Sequence, residues 1–263
     1  MNQNTTPNIK PMPLKSSLMY FGIPLIIAWL IVYVAMPYLN QQGLPFFYNY
    51  IVVYATLPML LLIIASVVAF RLEGHPSTWE SYKTRLRLGK MGSKAWLWVI
   101  GLTLFMITTA AMLGPTRGWI ASQTGLAPPA YWPDELQLVA QNAPASPQVP
   151  TGFLGIQLAG NGWVVIVVIL SLIIATLGEE LWWRGYILPR QELSLGKSTW
   201  VFHGILWTLF HAFNPLTLIS ILPGSLALSY VAQKLQSTWP GIIAHALANG
   251  LLVVGLLMGV LAA

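Results

Sequence analysis

Three short stretches of a largely apolar chain each pair residues that could move protons or hold charge. The first is Gly178-Glu179-Glu180-Leu181-Trp182-Trp183-Arg184. On a helix, Glu180 and Arg184 stand four residues apart on one face, in the favourable order for an ion pair. Glu179 then turns about 100° away, one helical step. That division leaves Glu180 held by Arg184 and Glu179 free to accept a proton, the task of a general base. The second stretch pairs Trp207 with His211 and the third pairs His245 with Asn249, each pair sharing a helical face at a spacing of four. An imidazole and an amide on an apolar face need hydrogen-bond partners that lipid cannot supply. Taken singly, the first stretch reads as a charged helix end and each histidine as a packing residue. Together the three point to a shared polar site.

The elements that must position these groups are membrane helices. Of the 263 residues, 56% are hydrophobic and only 8% are Asp, Glu, Lys or Arg, against roughly 25% charged in a soluble domain. Crossing about 30 Å of hydrocarbon takes roughly 20 helical residues, and seven runs qualify, within a range of six to eight. They lie near Leu18 to Tyr38, Tyr50 to Phe70, Ala95 to Leu113, Gly162 to Trp182, Trp200 to Phe213, Leu216 to Ala232 and Trp239 to Leu261. The expected fold is all-α, one polytopic bundle with a conical polar cavity open to the cytoplasm. Residues 1–161 supply the first helices and an external Pro-rich loop, and residues 162–263 the catalytic helix core. The fifth and sixth runs are short and meet at Asn214-Pro215, so one broken or re-entrant element is the alternative there.

The net charge of +6 sits in short loops rather than on one face, which argues for orientation in a bilayer and against nucleic acid. Lys10 and Lys15 precede the first span, expected to be a retained helix rather than a cleaved signal. Arg71, Lys83, Arg85, Arg87, Lys90 and Lys94 lie between the second and third spans. Arg184, Arg190 and Lys197 follow the fourth span and Lys234 the sixth. A cytoplasmic N-terminus and an external C-terminus follow, in what is expected to be a bacterial plasma membrane. The external segment 114–161 is rich in proline, including Pro115, Pro128, Pro129, Pro133, Pro144, Pro147 and Pro150, with one short interfacial helix expected near Asp134 to Gln141. The absence of cysteine excludes disulfides, thiolate metal sites and a cysteine nucleophile. His75, in a charged loop, looks incidental. Counting helical rise from the cytoplasmic ends puts Glu179 and Glu180 roughly 15 Å deep, His211 roughly 20 Å and His245 roughly 9 Å, close enough to share one cavity.

The ordered pattern Glu179-Glu180-x-x-x-Arg184, Trp207-x-x-x-His211 and His245-x-x-x-Asn249 resembles that of the CAAX protease and bacteriocin-processing (Abi) family of intramembrane endopeptidases. The likeness covers about Gly162 to Gly250 and departs from the family at Trp207, where phenylalanine is usual. The resemblance implies that Glu179 and His211 activate a water, that His245 and Asn249 stabilise the oxyanion, and that Glu180 and Arg184 support the site, with Trp207 packed beside the histidine. Hydrolysis of a peptide needs those parts: a base, a proton donor for the amine, and donors where the carbonyl becomes an oxyanion.

Family members have also been called metalloproteases, and Glu179, His211 and His245 are the residues that would hold zinc with an open position. No His-Glu-x-x-His helix is present, and glutamate-activated water without an obligatory metal is the favoured reading. The expected partners are the lipid bilayer and a peptide or membrane-protein substrate, lipidated or membrane-bound. In a bacterium, bacteriocin leaders, peptide pheromones or membrane proteins are better candidates than prenylated CAAX proteins. The competing readings are a non-proteolytic scaffold or bacteriocin self-immunity protein, and a small transporter relaying protons through the same residues. No oligomeric state follows from the residues.

Overall fold

Leucine, isoleucine and valine facing outward from helices over half exposed need a hydrocarbon solvent, and such residues recur throughout: Leu18, Ile26, Leu97 and Ile166 are 55%, 59%, 71% and 61% exposed. The computed structural model describes residues 9–141 and 149–262. Pro144 and Pro147 of the Pro-rich segment and residues 1–8 lie outside them. The described chain is almost wholly helical. Helix α1 spans Leu14–Gln41 and α2 Phe46–Leu72. A short helix, α3 (Trp79–Arg85), leads to α4 (Ser93–Leu113). The long connection carries α5 (Thr116–Thr124), α6 (Asp134–Gln141) and a two-residue hairpin, β1 (Gly152–Phe153) with β2 (Ile156–Gln157), in which Gly152 faces Gln157. Helix α7 (Trp163–Glu179) runs into a π-helical stretch, Glu180–Ile187, and then α8 (Leu188–Leu195). Helices α9 (Thr199–Phe210), α10 (Leu218–Leu235), α11 (Trp239–Asn249) and α12 (Leu251–Leu261) complete the chain.

Six continuous helical runs among the described residues are long and apolar enough to cross a membrane. The fourth, Trp163–Phe213, has 51 residues, and one contact shows that it folds back on itself. His203 Nδ1 lies 2.6 Å from Gln191 Oε1, twelve residues away, whereas a straight helix would separate them by about 18 Å. The reversal falls at Gly196, whose φ of 62° is one that glycine adopts without steric cost. The fourth and fifth expected spans are therefore two antiparallel elements. Helix α9 is about 18 Å long, too short to cross alone. It ends inside the bundle in two 3-10 turns, His211–Phe213 and Pro215–Thr217, from which α10 returns packed along it.

Charged and polar loop ends collect at one end of the bundle. There Arg85 pairs with Glu73 at 2.7 Å, Arg87 with Glu192 at 2.7 Å, and Arg190 donates to the Lys10 carbonyl at 3.0 Å. His75 belongs to this cluster rather than being incidental, since its ring is buried, stacks on Phe70 and lies 3.0 Å from Glu73. At the opposite end, Tyr131 donates to the Val32 carbonyl and Glu135 accepts from the Leu154 amide. Between the ends, α2 and α7 approach so closely that a Cβ on Gly178 would strike the Met59 carbonyl. Glycine at that position fixes where Glu179, the next residue, enters the core.

Candidate active site

Glu180 and Arg184 lie in the π-helical stretch, and neither side chain is exposed at all. Burying two charges is tolerable only when each finds the other, and here the pairing is incomplete: Glu180 Oε2 and Arg184 Nε and Nη2 have no hydrogen-bond partner among the described residues. Arg184 Nη1 donates to Glu180 Oε1 at 3.1 Å, and the same oxygen receives His245 Nδ1 at 2.9 Å from α11. A carboxylate can only accept, so the proton on His245 Nδ1 points at Glu180 and the chemistry of this ring belongs to Nε2. The remaining guanidinium face of Arg184 covers Trp207, with Cζ 4.3 Å from the ring centroid, a cation–π contact strengthened by desolvation.

Trp207 is the shared wall of the site. Its ring also meets His211 edge-on at 4.6 Å between centroids and His245 at 5.8 Å and 87°. The tryptophan thus contacts the ion pair and both imidazoles, a larger part than packing beside one histidine. His211 caps α9 where the backbone turns into 3-10 geometry. Its ring Nδ1–H donates to the Trp207 carbonyl at 2.9 Å, which leaves Nε2 as the acceptor nitrogen of the neutral ring.

Glu179, Trp207, His211, His245 and Asn249 line one cavity of about 480 Å³ between α4, α10 and α11. Asn249 is exposed, as are Ala110, Ala111 and Leu251 of the same cavity. Glu179 and His211 also border a second, smaller cavity of about 160 Å³ on the other side, with Tyr54, Phe210 and Phe213. That one shares Ala28, Pro58, Met59 and Phe210 with an apolar furrow of about 480 Å³ between α1 and α2. Glu179 and His211 therefore stand in the partition between a mixed-polarity cavity and a lipid-facing furrow. One carboxylate oxygen of Glu179, Oε2, is buried with no hydrogen-bond partner among the described residues. A carboxylate oxygen without a partner is free to accept a hydrogen bond from a water or a substrate that enters the cavity.

All five sequence-derived polar candidates and both supporting residues meet here. Sequence reasoning passed over Tyr54, Phe210 and Phe213, whose aromatic types alone gave no signal, and over Gly241 of α11. An added Cβ at Gly241 would lie 2.8 Å from Glu180 Oε2, so the glycine makes room for the buried carboxylate. Gly241→Ala should displace Glu180, destabilising the fold by about 1–3 kcal/mol as overpacking does and lowering turnover further than the melting shift explains. Thermal melting with parallel rate measurements checks this, and a variant with wild-type turnover would remove Gly241 from the argument. His203, by contrast, is fully buried on α9 against Gln191 and Phe21 and lines neither cavity.

Residues 161–251 match the sequence model of a family described as type II CAAX prenyl endopeptidase Rce1-like. The matched stretch contains every candidate site residue from Glu179 to Asn249. No curated protein and no solved structure matches the chain.

Proposed function

We propose that this integral membrane protein, whose residues 161–251 match the type II CAAX prenyl endopeptidase Rce1-like family model, cleaves peptide bonds by a glutamate-activated water. The carrying observation is the shared cavity: an unpaired glutamate, two imidazoles with Nδ1 already engaged, and an amide all face it from three separate helices. Glu179 takes a proton from a water whose other contact is the acceptor Nε2 of His211, and the oxygen attacks the substrate carbonyl carbon. The carbonyl oxygen becomes an oxyanion, met by the Asn249 amide and by Nε2–H of His245. For His245 to donate there it must carry protons on both nitrogens, and the Glu180 carboxylate at its Nδ1 supports that charge. Glu179 then returns its proton to the departing amine as the C–N bond breaks.

Glu179, His211 and His245 are the residues that would hold a zinc ion. Among the described residues no three His, Cys, Asp or Glu side chains are grouped so that they could hold a metal ion. That spacing supports the metal-free reading proposed here, and no step is routed through zinc. Activity should survive dialysis against EDTA with less than about a twofold change in kcat, whereas loss of an obligatory catalytic metal would abolish the step it performs. Loss restored by added zinc would reverse this assignment.

The end that gathers Lys10, Arg85, Arg87, Arg190 and Lys234 is assigned to the cytoplasm by its basic excess. The furrow between α1 and α2, open to lipid through Met19, Ile23 and Leu61, suits substrates that bring an apolar segment or lipid alongside the scissile bond. The test compares purified wild type with Glu179→Gln, each incubated with a membrane-protein fraction, for new termini by mass spectrometry. New termini with wild type alone are expected; identical peptide sets from both would leave the non-proteolytic scaffold as the better reading.

A further inference from the structure

The bond between Glu180 and His245 joins two helices that are distant in sequence, and the connector between α3 and α4 grips both. On one side Arg85, with its side chain 1% exposed, spends its guanidinium twice. Nε and Nη2 form a fork on the Glu73 carboxylate at 2.7 and 2.9 Å, and Nη1 and Nη2 reach the Gly185 and Tyr186 carbonyls at 3.4 and 3.3 Å. Those two carbonyls belong to the π-helical stretch that carries Glu180 and Arg184. Burial alone would lift the Glu73 carboxyl, yet the bonds from Arg85 overcome it and hold Glu73 below its ordinary value. Leu86 lies against Gly185, where an added Cβ would stand 3.3 Å from it.

On the other side, the carbonyls of Leu86, Arg87 and Leu88 hold the first turn of α11. Thr238 Oγ1 donates to the Leu86 carbonyl at 2.7 Å, the Thr238 amide to the Arg87 carbonyl at 3.0 Å, and Trp239 Nε1 to the Leu88 carbonyl at 3.0 Å. Three successive carbonyls can face α11 because Arg87 adopts a φ of 56°, a left-handed conformation that an L residue other than glycine rarely takes. The Arg87 side chain meanwhile returns to Glu192 of α8 with a bidentate pair at 2.7 and 2.8 Å. His245 sits six residues beyond Trp239 on the same rigid helix.

We propose that Arg85 to Leu88 form a clasp whose bonds to Gly185, Tyr186, Thr238 and Trp239 set the register of Glu180 against His245, making Arg85 and Thr238 positioning residues for the reaction. The assignment rests on the hydrolase reading for what Glu180 and His245 do, and on geometry alone for what the clasp holds. Its atoms lie outside both cavities, so a change there reaches the chemistry only through the two helices.

Thr238→Val removes one hydroxyl at nearly constant volume, and Arg85→Lys keeps the charge while losing the fork. Each should lower kcat about tenfold with KM within about twofold, the pattern of a loss felt in the transition state rather than in binding. In a Glu180→Gln background, where the positioned bond is already weakened, Thr238→Val should cost less than about twofold. Equal fold losses in the two backgrounds, or an unchanged kcat in folded variants, would overturn the clasp. Should Arg85→Lys fail to fold, Trp239→Phe deletes the bond to Leu88 and serves in its place. An activity-independent arm uses the absence of native cysteine: spin labels at the exposed positions Leu193 and Leu247 report the α8 to α11 separation. Broadening in Thr238→Val supports the clasp and an unchanged distribution overturns it, even if wild type cleaves nothing and the hydrolase reading fails instead.

Discussion

Glu179→Gln is expected to lower kcat by about 10²- to 10⁴-fold, the range that a positioned general base contributes, while leaving thermal stability close to wild type. The amide has the carboxylate's size and shape but cannot take up a proton at that position. Stability should hold because Glu179 makes no ion pair or side-chain hydrogen bond among the described residues and one of its oxygens is buried unpartnered. Glutamine in place of this half-buried, unpartnered carboxylate leaves no ion pair broken and no charge newly uncompensated. The same variant separates roles within the acidic pair, since Glu180→Gln perturbs a bond network instead of a free base. Turnover of Glu179→Gln within tenfold of wild type, in protein that melts normally, would move the base elsewhere and leave the proposed chemistry without its first step.

How much of this was legible in the sequence depends on which property is asked. Spans were readable because hydrocarbon imposes a length and a composition, and the expected all-α bundle follows from that alone. Gathering of the polar residues was also readable, because Glu179, Glu180, Arg184, His211 and His245 have no stable place in lipid except against one another. The short interfacial helix expected near Asp134 is present as α6. What the sequence did not announce is the helical geometry around the site. A step of 100° per residue assumes α-helix, whereas three stretches, Ile31–Ala35, Asn49–Thr56 and Glu180–Ile187, are π-helical. The first two supply Ile31, Tyr54 and Ala55 to the wall of the smaller cavity beside Glu179, and the third begins at the next residue. Wide turns of this kind recur at functional sites and depend on tertiary packing rather than on a residue signature. The clasp was hidden for a related reason: nothing in Arg85 or Thr238 distinguishes a buried link between helices from an ordinary loop charge and an ordinary hydroxyl.

The buried pair yields the largest expected stability effect. Arg184→Met keeps the long stem but leaves Glu180 charged, unexposed and supported only by His245 Nδ1, and breaking such a pair from one side typically costs about 3–5 kcal/mol. Met also forfeits the cation over Trp207 at 4.3 Å, so the wall between the two imidazoles loosens as well. Neutralising both partners in Glu180→Gln with Arg184→Met should recover part of that loss, about 0.5–3 kcal/mol less than the sum of the single changes, because the uncompensated charge is gone. Turnover should not recover with it, since His245 then lacks the carboxylate that supports its second proton. Stability and catalysis are thereby expected to part company in one double variant, read by thermal melting in detergent beside rate measurements. Arg184→Met that melts like wild type, or a double variant as unstable as the summed singles, would show that the pair is not what holds this end of α7 to α11.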